Sequence, residues 1–241
     1  MNIGVIFAGG VGTRMKTSGL PKQFLKVNGK PIIIHTLEYF QNNKNIDAIV
    51  LASVESHLDY CRELADKFGI TKLKRIVPGG HNGQSSIYNA LCAANEISVS
   101  DEDIVLIHDG VRPLITDQLL NDNIECVKRN GSAITCVECK ETIAVEDEAT
   151  HTIASTVERS TARLARAPQS FYLKDIMEIH NKALEDGNTN AIDSCSLMRM
   201  YGKELSIVIG SSENIKITTP DDFYVFKAIL EAKQNSDIFG C

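Results

Sequence analysis

The sequence has no excess of positive charge: 25 Lys and Arg stand against 31 Asp and Glu, a formal net charge of −6 over 241 residues. That balance excludes a general nucleic-acid binder or a membrane-surface protein, both of which need a basic surplus. No apolar run approaches the roughly 20 residues that span a bilayer. Repeats at a period of about 20 to 50 residues and low-complexity tracts are also missing. The seven cysteines (Cys61, Cys92, Cys126, Cys136, Cys139, Cys195 and Cys241) are odd in number, and the single Cys-x-x-Cys spacing, Cys136 to Cys139, has no second pair to complete a metal set. Reduced thiols in a cytoplasmic protein are therefore expected, not a disulfide or zinc framework. The opening MNIGVIFAGG is too short and too glycine-broken for a signal peptide. The dinucleotide fingerprint G-x-G-x-x-G, the P-loop ending G-K-[ST] and the serine elbow G-x-S-x-G are all absent.

What is present is the composition of one soluble globular domain over residues 1–241, with 43% hydrophobic and 23% charged residues. Short β-branched runs at Ile3 to Phe7, Ala48 to Ala52, Arg75 to Val77 and Ile104 to Ile107 predict buried strands. Their apolar continuity fits a parallel sheet covered on both faces. Between them, Pro31 to Phe40, Ser56 to Phe68 and Ser85 to Ile97 are long enough for helical crossovers. The expected fold class is α/β, Rossmann-like and doubly wound around a mostly parallel sheet. A further helix is expected between Thr116-Asp117 and the Asn130-Gly131 stop, and a last one after Thr218-Thr219-Pro220. From Ser132 to Thr156 the chain is β-rich and acidic with little to bury. That pattern predicts a β-arm, at about residues 138–160, that projects and pairs with another subunit; a solvated surface hairpin fits the same composition.

The chemistry gathers at strand ends. Ala8-Gly9-Gly10-Val11-Gly12-Thr13-Arg14 follows the first strand, so its glycines let backbone N–H groups approach an anion while Arg14 adds charge. A tight turn without a ligand also explains the glycines. Pro21-Lys22-Gln23-Phe24 brings a second cation. Asp109, in His108-Asp109-Gly110-Val111-Arg112, ends the strongest strand, where a carboxylate can hold Mg²⁺ or a ribose hydroxyl; pairing with Arg112 is the bland alternative. Gly80 and Ser86 bracket a loop that lets a flat base approach, although a serine such as Ser85 more commonly caps a helix. Lys216 and Thr218 share one face of an expected strand, offering a third cation and a hydroxyl. Arg159, Arg163 and Arg166 form a positive island suited to a phosphate monoester, with too little aromatic company for nucleic acid.

Taken in order, AGGVGTRM, PKQF, GKPIIIHTLE, the Gly-Gly pair with Ser86 downstream, HDGVRP, the arm ending in Glu-Arg, APQSF and NIKITTPDDF resemble a known family. It comprises the cytidylyltransferases that act on 2-C-methyl-D-erythritol 4-phosphate and on ribitol 5-phosphate. The resemblance runs from about Asn2 to Leu230. It implies CMP transfer from CTP to a polyol phosphate, such as ribitol 5-phosphate or a glycerol phosphate, with Mg²⁺, in a homodimer joined by swapped arms. By motif match, Arg14, Lys22 and Lys216 would serve the triphosphate in catalysis, and Ala8, Gly9, Gly10, Gly80 and Ser86 the cytidine side. Asp109 would bind the metal or ribose. Thr142 and Arg159 would hold the acceptor phosphate at the other subunit's site, with Arg112 and Thr218 as further substrate contacts. The double glycine leans toward the ribitol branch, with the methylerythritol branch as the alternative. The chain departs from the family pattern at Gly83, where Arg is usual, and at Ala167, where Thr is usual.

Overall fold

The computed structural model describes residues 1–10 and 20–239. The chain begins with strand β1 (Asn2–Ala8), the short ribbon β2 (Lys26–Val27) and β3 (Lys30–Pro31), helix α1 (Ile32–Asn42), β4 (Ala48–Ser53), α2 (Leu58–Lys67) and β5 (Leu73–Pro78). Next come α3 (Gly83–Asn95), β6 (Ile104–Asp109), α4 (Asp117–Asn130), β7 (Ser132–Glu138) and the hairpin β8 (Ala144–Asp147) and β9 (Thr152–Thr156). The order ends with β10 (Arg163–Tyr172), α5 (Leu173–Glu185), α6 (Ser194–Met200), β11 (Ile207–Ile209) and α7 (Pro220–Phe239).

Among the described residues, seven strands form one sheet in the order β11-β7-β10-β6-β1-β4-β5. Only β10 runs antiparallel to its neighbours, so the sheet is mostly parallel, as expected. Side chains alternate across a strand, and this sheet is covered on both faces. Ile6 of β1 packs with Leu37 of α1, Leu64 of α2 and Ile124 of α4. Its neighbours Ile3 and Val5 pack with Ala90 of α3, Ile176 of α5 and Leu197 of α6. The close approach of α1 to β1 needs Gly4, because a Cβ there would lie 2.6 Å from the Phe40 ring. The chain moves outward from β1 through β4 to β5, then returns to the other side of β1 as β6. The C-terminal ends of β1 and β6 thus flank the switch point, where open α/β sheets form ligand crevices.

Local signals were accurate at helix ends. Thr116 caps α4 by accepting from the Leu119 N–H, and Gly131 closes it at φ 82°, a left-handed conformation suited to glycine. At α7, Asp222 Oδ2 accepts from the backbone N–H groups of Thr218 and Thr219. Three expectations need correction. Ser132–Glu138 belongs to the central sheet and is buried except at Glu138, so the exposed hairpin starts later, at β8. Leu73–Pro78 is an edge strand and only partly covered, since β4 is its one partner among the described residues. Asn214 to Thr218 is not a strand: Ile217 makes one backbone bond to the Val111 carbonyl, while the carbonyls of Asn214 and Ile217 accept from side chains. Among the described residues, no helix is long and apolar enough to cross a membrane.

Two buried histidines give the fold an acid limit. His108 on β6 and His180 on α5 are each lowered to about 4, in both cases chiefly by burial, which disfavours the charged ring. An unfolded chain binds protons at these rings near pH 6.5. Between pH 6.5 and 4 the unfolded state therefore carries more protons, and stability falls as pH falls. At pH 5 the loss is of the order of 2 kcal/mol for each ring. The melting temperature should drop between pH 7 and 5, and His180→Leu should make that slope shallower. An unchanged slope in the variant would remove His180 as a cause.

Candidate active site

The cleft at the switch point has a volume of about 410 Å³. Its floor is made by two loops that touch. A Cβ on Gly79 would lie 3.0 Å from the Gly9 Cα, and one on Gly9 would lie 2.8 Å from Ser86 Oγ. Small residues here are thus demanded by packing between the end of β1 and the start of α3. Ser86 Oγ accepts from the Gly80 N–H at 3.0 Å and donates to the Asn82 carbonyl at 2.7 Å, which fixes the loop's curvature. The cap of α3 is Asn82 and not Ser85: the two exchange side-chain and backbone bonds in a reciprocal box. On the opposite wall, Gln23 is buried and donates to the Ala8 carbonyl at 2.7 Å. That bond ties the short 3₁₀ turn Lys22–Phe24 to the end of β1 and turns Lys22 into the cleft. Lys22 Nζ donates to the Ile217 carbonyl at 2.8 Å.

The charged centre is Asp109, at the end of β6. Lys216 Nζ lies 2.6 Å from Oδ1, and Arg112 Nε lies 3.0 Å from Oδ2. Burial would raise the Asp109 pKa, but the charges of Lys216 and Arg112 outweigh it and hold it at about 2. Asp109 is therefore an anion at neutral pH, and it holds Lys216 over the cleft. Lys216 also sits 5.8 Å from the Phe7 ring centroid, on the same side. His108 is framework: its Nε2 meets the Arg112 carbonyl at 3.0 Å, and burial keeps the ring neutral. Arg112 continues to the Asn214 carbonyl at 2.7 Å, where Arg166 Nη1 also arrives at 2.6 Å.

Of the residues singled out in the sequence, Ala8, Gly9, Gly10, Lys22, Gly80, Ser86, Asp109, Lys216 and Thr218 all line this one cleft. Thr218 is there although no strand carries it, and its hydroxyl donates to Asp222 at 2.7 Å. Arg112 lines a smaller adjoining cavity of about 210 Å³, which shares Phe7, Gly83, Asp109 and Lys216 with the cleft. The two departures from the family pattern, Gly83 and Ala167, both lie on that cavity. Arg14 lies outside the described residues. Thr142 and Arg159 are not brought to the cleft of their own chain. Thr142 is exposed ahead of β8, and Arg159 sits with Glu138 and Glu158 at the base of the hairpin. Sequence reasoning missed Gln23 and Asn214, whose side chains bind carbonyls of distant segments. A buried amide beside a matched motif gives no pattern of its own.

The family model described as IspD, 2-C-methyl-D-erythritol 4-phosphate cytidylyltransferase, matches residues 3–232. A ribitol-5-phosphate cytidylyltransferase of Streptococcus agalactiae serotype Ia is 54% identical over 240 residues, covering 100% of both chains. A 2-C-methyl-D-erythritol 4-phosphate cytidylyltransferase of Clostridium botulinum is 37% identical, covering 94% of this chain and 96% of that one. The crystal structure of a 4-diphosphocytidyl-2C-methyl-D-erythritol synthase from Anaerococcus prevotii superposes with a TM-score of 0.81 at 25% identity, covering 95% and 96%. With a family match over residues 3–232 and relatives 54% and 37% identical over nearly the whole chain, the chain belongs to the IspD family of cytidylyltransferases.

Proposed function

We propose that this enzyme transfers CMP from CTP to ribitol 5-phosphate, giving CDP-ribitol and pyrophosphate. The observation that carries the reaction type is the convergence of Lys22 and Lys216 on one glycine-lined cleft, with Asp109 between strand end and solvent. The higher identity to ribitol-5-phosphate cytidylyltransferases, 54% against 37%, supports the acceptor over methylerythritol phosphate.

The chemistry needs no general base. A phosphate monoester has a second pKa of about 6 and is largely a dianion at pH 7. An acceptor phosphate oxygen attacks the α-phosphorus of CTP in line, the new P–O bond forms, and the bond to the β-phosphate oxygen breaks as pyrophosphate leaves. Lys22 and Lys216 neutralise charge that grows on the α-phosphoryl oxygens. The cleft walls hold the two phosphates in position, which supplies a large part of the rate. Among the described residues, no group of three metal-ligating side chains forms a cage. One carboxylate beside substrate phosphates suits Mg²⁺, and Asp109 is the residue that would hold it. When bound, Mg²⁺ would supply positive charge to the leaving pyrophosphate.

The reading extends to the assembly. The projecting hairpin exposes Val145, Ile153 and Val157, and Leu164 is exposed just beyond it. In a homodimer these residues would be covered by the partner, and Thr142 and Arg159 would reach the partner's cleft to hold the acceptor phosphate. A cytoplasmic enzyme fits the free cysteines, none of which lines the cleft. The test is pyrophosphate release from CTP with ribitol 5-phosphate, 2-C-methyl-D-erythritol 4-phosphate and the two glycerol phosphates in parallel. Ribitol 5-phosphate should exceed the others in kcat/KM by about tenfold or more, the discrimination of a few hydroxyl contacts. Preference for methylerythritol phosphate would move the enzyme to the other branch.

A further inference from the structure

The smaller cavity beside the cleft contains a cation that the fold itself does not neutralise. Arg112 is offset by Asp109, but Arg166, half-buried on β10, makes no ion pair among the described residues. Its one described bond goes to the Asn214 carbonyl, which it shares with Arg112. Burial and the neighbouring Arg112 charge both work against the guanidinium. A half-buried, unpaired charge beside a like charge is destabilising, so its place on the cavity wall is not explained by stability. A second observation points to a ligand. Ser194 lines the same cavity, is buried to 2% exposure, and its Oγ has no partner among the described residues. Buried hydroxyls are almost always hydrogen-bonded, so this one is available to a bound group.

The chemistry of that group follows from the wall. Asp193 also lines the cavity, with Oδ2 accepting from Gln169 and Oδ1 from the Ser196 N–H. A carboxylate here repels a phosphate dianion but accepts from hydroxyls, while Arg166 donates to them. Ser194 can do either. Donors and acceptors interleaved over a small apolar floor suit a chain of alcohols. The cavity opens onto Lys216 and Asp109, where the reacting phosphates would meet.

We propose that Arg166 and Ser194 form the subsite for the hydroxyl chain of the acceptor and set the preference for a long polyol phosphate over a short one. This rests on the reading of the main cleft as the place where CTP and a polyol phosphate react. The acceptor's phosphate stays at the Lys216 edge, and its distal hydroxyls reach Arg166.

The test compares wild type with Arg166→Gln and Ser194→Ala, using ribitol 5-phosphate and glycerol 3-phosphate as acceptors. For Arg166→Gln, kcat/KM for ribitol 5-phosphate should fall by about tenfold or more, with a smaller loss for Ser194→Ala. KM for CTP and kcat/KM for glycerol 3-phosphate, too short to reach Arg166, should stay within about twofold. Equal losses on both acceptors, or a raised KM for CTP, would overturn the assignment. Calorimetric titration of ribitol 5-phosphate into each protein in the presence of CDP separates the two levels of the argument. No turnover by the wild type with either acceptor refutes the proposed reaction. Equal ribitol 5-phosphate affinity in wild type and Arg166→Gln refutes the subsite, whatever the turnover.

Discussion

Lys22→Ala is expected to lower the rate of pyrophosphate release by about two orders of magnitude or more, with the melting temperature nearly unchanged. The two halves of that statement come from different contacts. The 3₁₀ turn that carries Lys22 is held by neighbours: Gln23 bonds the Ala8 carbonyl, and Phe24 is buried against the His57 and Tyr60 rings. Removing the lysine side chain leaves that anchoring intact. The Ile217 carbonyl is a neutral partner, and an α-phosphoryl oxygen that gains charge in the transition state draws the ammonium more strongly. A group whose interaction grows on the way to the transition state shows its loss in kcat and not only in KM. Single-turnover pyrophosphate release with saturating CTP and acceptor measures this directly, and circular dichroism checks the fold. Near-normal release would mean that Lys22 serves ground-state binding alone.

How much of this was legible in the sequence depends on the range of the forces involved. The strands β1, β4 and β6 and the caps at Thr116 and Gly131 were readable because local pattern decides them: apolar continuity, a side-chain acceptor, a left-handed glycine. The cleft was readable for a related reason. Glycines and single charges at strand ends go where the switch point gathers them, and Ala8, Gly80, Asp109 and Lys216 all arrive there. Ser132–Glu138 reads as part of an acidic stretch with little to bury because its burial comes from β10 and β11, strands far along the chain. Asn214 to Thr218 looked like a strand by alternation, yet its carbonyls are claimed by Arg112, Arg166 and Lys22 before any ladder can form. Arg166 stood in the sequence as one member of a positive island. That it makes no ion pair among the described residues is a fact of three dimensions. The island itself divides, since Arg159 stays with Glu158 at the hairpin base while Arg166 enters the sheet.

That division leads to the second large effect. Lys216→Ala and Arg159→Ala should each lower activity by about a hundredfold or more as homodimers, because one removes a cation from the cleft and the other the proposed acceptor-phosphate contact. A heterodimer of the two variants, isolated with two affinity tags, should regain about half of the wild-type activity per dimer. The reason is geometric. If the arm serves the partner's cleft, the heterodimer pairs the intact cleft of the Arg159→Ala chain with the intact arm of the Lys216→Ala chain. Its other site carries both lesions. If instead each arm served its own chain, both sites would keep one lesion and the mixture would stay as inactive as its parents. Within one chain Arg159 lines a separate cavity with Glu138, Cys139 and Glu158 and does not line the cleft of Lys216 and Asp109, so a contribution in cis would require this segment to move. A two-fold dimer needs no such movement: the exposed Val145, Ile153 and Val157 would be covered by the same contact that delivers Arg159. Recovery of activity in the heterodimer therefore tests the assembly and the composition of its sites in one measurement. Recovery without a stable dimer at assay concentration would refute the swapped arm.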